Sequence, residues 1–98
     1  MTIELRFSDR ARRDMLTATI GWAQHHPSRP TVFDDELVKA LELIELFPDL
    51  APRATGNQYK NSRVKTLLET GHLLVYRRRG SIVKVLAILA SRSTPERP

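Results

Sequence analysis

Cysteine is absent from this chain of 98 residues. Its absence excludes a disulfide framework and any thiolate metal site, and it fits a reducing compartment. Long apolar runs are also missing, since the longest comprises the six residues from Val85 to Ala90, far short of a membrane span. The N-terminus carries Glu4 and Arg6 with no apolar run behind them, unlike a signal peptide. We therefore expect a soluble, cytoplasmic protein that does not bind membranes.

Aromatic residues make up only 6% of the chain, whereas basic side chains are abundant. Sixteen Lys and Arg against 11 Asp and Glu give a net charge of +5. A small basic domain is expected to meet an anionic partner such as nucleic acid, an acidic protein or a membrane surface. The alternative is that the charge serves solubility alone. The length and the ordinary hydrophobic content of 41% predict one globular domain, residues 1–98.

The last third of the chain contains three β-rich runs separated by two glycine turns. The runs are Ser62–Glu69, His72–Arg78 and Ser81–Ser91. Gly71 and Gly80 supply the positive φ that tight hairpin turns require, so the pattern predicts a three-stranded antiparallel meander. From Val83 to Ala90 the third run is apolar apart from Lys84, which is typical of a strand in the middle of a sheet.

The beginning of the chain predicts a strand followed by a helix. Residues 2–7 alternate between apolar and charged side chains, as in a half-buried strand. Ser8 is a good N-cap, and Asp9 favours the dipole of a helix that runs to about Gln24. Its apolar stripe comprises Ala11, Met15, Leu16, Ala18, Ile20, Trp22 and Ala23.

A second helix and a long loop connect this part to the meander. Thr31 is its expected N-cap, with Asp34 completing a variant of the capping box. The stripe of this helix comprises Phe33, Leu37, Ala40, Leu41, Ile44 and Phe47, and residues 48–61 read as an irregular loop. The predicted fold is α+β, in the order strand, helix, helix, three strands, with a helical hairpin packed on a small antiparallel sheet. The first strand could pair at either exposed side of the meander.

Basic residues on or beside the predicted sheet are the main candidates for binding. Alternation places Arg63 and Lys65 on one face of the first meander strand, and this face together with Arg92 could hold phosphates through guanidinium contacts. The competing interpretation is a solvated face whose charges protect strand edges. Arg77 and its neighbours at the hairpin tip could likewise bind phosphates or protect strand edges, and for them the protective role is favoured. Tyr59, beside this basic group, could stack on a base or contact a protein partner.

Other chemistry has little support in the sequence. His25 and His26 are adjacent at a helix end and His72 opens a strand, so no spacing of three or four places two histidines on one helical face as metal ligands. No glycine-rich phosphate loop or nucleophile elbow is present. We therefore expect no metal and no cofactor.

Taken together, the order of elements and several segments resemble the RelE/ParE superfamily of type II toxin–antitoxin toxins. These segments are Phe7-Ser8, Ala11 with Asp14, residues 43–48 (LIELFP), residues 61–65 (NSRVK), residues 71–77 (GHLLVYR), residues 82–88 (IVKVLAI), and Arg92 with Pro95. The resemblance covers nearly the whole chain. It implies the α+β fold predicted above and an acidic antitoxin of the ParD or RelB kind that forms a hetero-oligomer with the toxin.

The resemblance implies one of two activities. RelE-like members cleave mRNA on the ribosome, where basic residues stabilise the charge that develops as the 2′-hydroxyl attacks. Arg63 and Arg92 match two arginines of that pattern, and Lys60 or Lys65 match its lysines. The tyrosine or histidine usual after the last strand is absent, because Ser-Thr-Pro-Glu-Arg-Pro follows Arg92.

ParE-like members inhibit DNA gyrase and need no catalytic set, and the LFP and YR segments look more like this plasmid-stabilisation branch. The first hypothesis is therefore a ParE-like gyrase inhibitor with Tyr59, Lys65, Arg77 and Arg97 as binding residues. The alternative is a RelE-like endoribonuclease in which Lys60, Arg63 and Arg92 are catalytic. An inactive relative or a basic domain with another partner also stays open.

Overall fold

The structure, a computed structural model, describes residues 2–56 and 58–90. Its elements are β1 (Glu4–Phe7), α1 (Asp9–His25), α2 (Val32–Leu46), β2 (Arg63–Leu67), β3 (His72–Arg79) and β4 (Ile82–Ala90). This order confirms the predicted strand, helical pair and three-stranded meander. Neither of these helices is long and apolar enough to cross a membrane.

The four strands form one sheet in the order β1-β4-β3-β2. Antiparallel pairing joins β2 to β3 and β3 to β4, which confirms the meander and places β4 in the sheet interior. The sequence left the position of β1 open. It pairs parallel with β4, with Leu5 opposite Val83, so the sheet is mixed and the meander is its antiparallel part. A parallel pair needs a long crossover, and the two helices lie within the segment that separates these strands.

Both helices lie on one face of the sheet, where they enclose the core. Its buried members are Ala11, Phe33, Leu37, Ala40, Ile44, Leu67, Leu74, Tyr76, Val83, Val85 and Ile88. The predicted stripe of α2 is largely confirmed. In α1, however, Leu16 and Ile20 are exposed, because this helix turns only a narrow strip that includes Ala11 and Ala18 toward the sheet. Phe47 is likewise exposed, since α2 ends before it.

The two helix starts differ in how their free amides are satisfied. Ser8 caps α1 as predicted, because its Oγ accepts a hydrogen bond from the Ala11 amide at 3.0 Å. The predicted capping box of α2 is wrong. The Thr31 side chain caps no amide, and Asp34 instead accepts a hydrogen bond from Thr19 Oγ1 at 2.8 Å, which ties α2 to α1.

A β-bulge in β4 is locked by the start of α1. Val75 lies opposite Ala87 and Tyr76 lies opposite Val85, so Leu86 is the extra residue. The Ser8 hydroxyl donates to the Leu86 carbonyl at 2.9 Å. Six residues further along the chain, Asp14 Oδ2 accepts the Ile88 amide at 3.0 Å. The side chains of Ser8 and Asp14 thus form hydrogen bonds with backbone groups at the bulge. These bonds fix α1 on the sheet.

The loop after α2 returns along the free edge of β2. The Val64 amide donates to the Pro52 carbonyl at 2.9 Å, and the Ala54 amide donates to the Ser62 carbonyl at 2.8 Å. Tyr76 holds the start of this loop, because its buried hydroxyl donates to the Pro48 carbonyl at 2.7 Å. Burial raises the pKa of Tyr76, so this hydroxyl stays protonated and keeps its role as donor.

Candidate functional site

Arg63, the central candidate for catalysis, is held by the loop that follows α2. Its side chain is about a quarter exposed, Nη1 donates to the Ala51 carbonyl at 2.7 Å, and Nε lies 3.8 Å from Asp49 Oδ1. Lys60 is exposed three residues earlier, and its carbonyl accepts the Ser62 hydroxyl at 3.5 Å. Arg92 and Arg97 lie outside the described residues. The catalytic role of Lys60, Arg63 and Arg92 therefore stays a prediction.

Arg63 belongs to a polar cleft that we call the arginine cleft. It has a volume of about 430 Å³ and is lined by Asp49, Arg53, Asn61, Arg63, Arg78 and Gly80. Arg78 Nη1 binds Asp49 Oδ2 at 2.5 Å, so one carboxylate lies among three guanidinium groups. Positive charge is in excess, and the cleft can accept an anion such as a phosphate.

Arg77 lies on the opposite side of the sheet, in a second cationic surface that we call the basic sheet face. It comprises Arg6, Arg77, Arg79 and Lys84 around Ile82 and Leu86, with a cavity of about 360 Å³. Arg6 and Arg77 are both register partners of Lys84. Like charges opposite one another destabilise a sheet, so an anion at this face would relieve their repulsion. Sequence patterns did not place Arg6 beside Lys84, because their meeting depends on the parallel pairing of β1.

The cations of the basic sheet face differ in their local partners. Arg6 pairs with Glu4 at 2.6 Å, an exposed contact that is worth little. Arg77 Nη2 reaches the Lys60 carbonyl at 3.5 Å, whereas its Nε is buried and has no partner among the described residues. A buried donor without a partner is costly, so the described residues satisfy the Arg77 guanidinium only in part.

Tyr59 and Lys65, the other candidates for binding, lie in different places. Tyr59 is half-buried, and its hydroxyl accepts a hydrogen bond from Arg10 Nη1 at 2.8 Å, which connects the loop to α1. Lys65 shares the face of Arg63, as alternation predicts, but that face is the one covered by the helices. Lys65 borders an apolar groove there, whereas Arg63 lines the arginine cleft, so Arg63 and Lys65 do not form one continuous phosphate-binding face.

The apolar groove lies between α2 and β2, and we call it the α2–β2 groove. Its volume is about 300 Å³, and its lining comprises Leu43, Ile44, Leu50, Ala51, Pro52, Val64, Lys65, Thr66 and Leu68. A cavity of about 120 Å³ extends it along α2 past Lys39 toward Glu36. No pattern in the sequence indicated this groove, because it is built by a helix, a loop and a strand edge that meet only in the fold.

The histidines serve structural contacts. His25 Nδ1 lies 2.8 Å from the Gly21 carbonyl and His26 stacks on Trp22, so both close the last turn of α1. His72 Nδ1 lies 2.9 Å from Thr70 Oγ1, and the Thr70 hydroxyl donates to Glu36 Oε1 at 3.0 Å. Thr70 therefore accepts from His72, which assigns the proton to Nδ1. Burial lowers the pKa of His72, and the negative charge of Glu36 partly opposes this shift. Within the described part of the chain, no group of three His, Asp or Glu side chains is placed to hold a metal ion.

Comparisons with known proteins identify the fold. A chain of the chromosomal ParDE toxin–antitoxin system of P. aeruginosa superposes with a TM-score of 0.73 at 13% identity, covering 91% of this chain and 96% of that chain. A chain of the E. coli DinJ–YafQ toxin–antitoxin complex gives a TM-score of 0.61 at 12% identity, covering 92% and 93%. A mutant of the E. coli toxin RelE in the free state gives 0.60 at 18% identity, covering 96% and 88%.

These likenesses confirm the fold predicted from the sequence. The chain has the α+β fold of the RelE/ParE-superfamily toxins. No protein-family profile matches the sequence, and no curated protein matches it.

Proposed function

We propose that this chain is the toxin of a type II toxin–antitoxin pair, that it is ParE-like, and that it inhibits DNA gyrase until an acidic antitoxin of the ParD or RelB kind neutralises it. The observation that supports this most is the superposition with a chain of the ParDE system over 91% of the sequence at a TM-score of 0.73. The excess of positive charge and the exposed α2–β2 groove are suited to an acidic protein partner.

The environment of Arg63 favours the gyrase inhibitor over the nuclease. Its guanidinium already donates to the Ala51 carbonyl at 2.7 Å and faces Asp49. A substrate phosphate would have to compete with these contacts, whereas a catalytic arginine should be positioned for the charge that develops in the transition state. Arg63 is therefore explained as an anchor for the loop after α2.

The arginine cleft supports the second candidate, a RelE-like endoribonuclease. Its excess of guanidinium groups lies at the start of β2, where Arg63 follows Lys60 by three residues and a phosphate of the RNA could bind. In that mechanism, Lys60, Arg63 and Arg92 stabilise the pentacoordinate phosphorus while the 2′-hydroxyl of the RNA attacks. Removal of one such contact typically lowers a rate by about 10²–10³-fold.

Controlled expression of the chain in a bacterium, with pulse labelling of DNA and protein synthesis, separates the two candidates. We expect DNA synthesis to stop first and purified chain to inhibit supercoiling by purified gyrase. The double variant Arg63→Ala with Arg92→Ala should retain this inhibition, as should the control Arg13→Ala on the exposed side of α1. Circular dichroism checks that each variant is folded.

An early stop of protein synthesis, with mRNA cleavage that the double variant abolishes and Arg13→Ala does not, would contradict the proposal. It would assign the arginine cleft to catalysis. Arg63→Lys distinguishes a loss of folding from a loss of chemistry, because lysine keeps the charge and one donor toward the Ala51 carbonyl.

A further inference from the structure

The α2–β2 groove exposes large apolar side chains from three different segments. Leu43 of α2 is 44% exposed, Leu50 of the following loop 76%, and Leu68 after β2 85%. All three line the same cavity of about 300 Å³. Single exposed apolar residues are common on monomers, but convergence from separate segments around one concavity is typical of a binding surface. Leu46 and Phe47, exposed at the end of α2, extend the apolar character beyond the cavity.

The rim of the groove is cationic. Lys39 and Lys65 border it, and neither has a hydrogen bond or an ion pair within residues 2–56 and 58–90. Glu36 is the acidic residue of the adjoining cavity, but its carboxylate is already engaged. It accepts the Glu69 amide at 2.7 Å and the Thr70 amide at 3.1 Å. Two lysines stand against this one carboxylate, whose oxygens already accept hydrogen bonds from neutral donors, so the rim keeps a net positive charge for a ligand.

The backbone at the groove offers a further contact. The Val64 amide points to the free edge of β2, where it donates to the Pro52 carbonyl. Because the backbone alternates along a strand, the Thr66 amide and carbonyl point to the same edge, and the described residues place no strand beside them. A chain that lies in the groove can therefore be held by apolar contacts, by charge and by main-chain hydrogen bonds.

We propose that the α2–β2 groove binds a segment of a partner protein that carries apolar anchors and carboxylates. The anchors fill the cavity between Leu43, Leu50 and Leu68, and the carboxylates meet Lys39 and Lys65. This inference rests on the proposed function, in which the partner is the antitoxin. A second copy of the chain is the wrong occupant, because each copy carries a net charge of +5 and would oppose lysines with further positive charge.

A library of random 16-residue peptides displayed on phage, selected on the purified full-length chain, tests the proposal. We expect the selected peptides to be enriched in Asp and Glu together with Leu, Ile, Val or Phe. Fluorescence anisotropy with a selected peptide should show that Leu50→Ser with Leu68→Ser weakens binding by about tenfold or more. Both side chains are exposed, so the double variant keeps its fold. Lys39→Glu with Lys65→Glu should weaken binding most at low salt.

The matched control is Leu16→Ser, which removes a leucine that is 61% exposed on α1 and does not line the groove. It should bind the peptide as the parent chain does. The proposal would be overturned if the selection enriched no peptides or enriched basic ones. It would also be overturned if the selected acidic peptides bound the Leu50 and Leu68 variant as tightly as the parent chain. Binding that is lost on substitution of Arg77 and Arg79 instead would move the site to the basic sheet face and overturn it too.

Sedimentation equilibrium provides the second arm. A dimer that the Leu50 and Leu68 variant abolishes would show that a second copy occupies the groove, contrary to the proposal. Both arms use the purified chain and are independent of toxicity. A chain that leaves DNA and protein synthesis intact but binds acidic peptides in the groove would refute the proposed function alone. A gyrase inhibitor that fails the peptide test would refute the groove alone.

Discussion

Replacement of Asp14 by alanine tests whether α1 is fastened to the sheet through the bulge of β4. In the parent chain, Asp14 Oδ2 accepts the Ile88 amide at 3.0 Å and lies 3.3 Å from Arg10 Nε. Ile88 is 95% buried, so in the alanine variant its amide loses its partner where water has little access. Leaving a buried hydrogen-bond donor without its acceptor costs about 1–3 kcal/mol. The cost lies in the upper part of this range when the lost acceptor is charged.

The contact with Arg10 adds less, because an exposed ion pair contributes about 0–1 kcal/mol. We therefore expect Asp14→Ala to lower the free energy of unfolding by about 2–3 kcal/mol. For a domain of this size, that corresponds to a fall in Tm of roughly 8–24 °C. Asp14→Asn keeps an acceptor for the Ile88 amide and should lose about 1 kcal/mol, the part due to charge.

Urea unfolding followed by circular dichroism measures these differences, with Arg13→Ala as the control. Arg13 is exposed on the same helix, so its replacement should change stability by less than about 0.5 kcal/mol. Hydrogen exchange gives a local readout, since the Ile88 amide should lose protection in Asp14→Ala more than the amide of Val83 does. An Asp14→Ala chain as stable as the control, with an Ile88 amide that stays protected, would refute this account of the bulge.

Four further substitutions address single contacts or conformations. Tyr76→Phe should lower the unfolding free energy by about 1–2 kcal/mol in urea, because the Pro48 carbonyl loses its donor; an unchanged midpoint would contradict this. His72 has a lowered pKa when folded, so the unfolded chain binds the proton first and stability falls as the pH drops below about 6.5. In thermal melts between pH 7.5 and 5.5, the Tm of His72→Asn should fall less with decreasing pH than the Tm of the parent chain. Equal slopes for the two chains would contradict this role of His72. Gly80→Ala should destabilise by about 1 kcal/mol, since φ is +58° there. Gly21→Ala should stabilise α1 by up to about 1 kcal/mol, because an added Cβ meets open space, and calorimetry should find opposite signs for the two glycines.

Local signals in the sequence were sufficient for the elements and for most of the core. Gly71 and Gly80 mark the two hairpins because positive φ is a property of single residues, and both adopt it. The apolar run of β4 predicted an interior strand because burial acts directly on side-chain type. The exposure of Leu16 and Ile20 could not be predicted, because periodicity shows that a helix has an apolar side but not how much of it the sheet covers.

The candidate site was predictable only where neighbours in sequence are neighbours in space. Alternation correctly placed Arg63 and Lys65 on one face, but which face the helices cover depends on the long-range packing of the chain. The clustering of Arg6 with Lys84 follows from a parallel pairing between the two ends of the described chain. The attachment of Arg63 to Ala51 similarly depends on the path of a loop that carries no periodic signal.

The loop segment that runs beside β2 has a consequence for how this chain would misassemble. Pro52 and Ala54 occupy hydrogen-bonding positions along that edge, so an incoming strand finds part of it already filled. At the opposite edge, β1 has four residues, two of which are the charged Glu4 and Arg6. Both borders of the sheet therefore resist the strand stacking that builds amyloid. Chain left without a partner at high concentration should therefore form no thioflavin-positive fibrils.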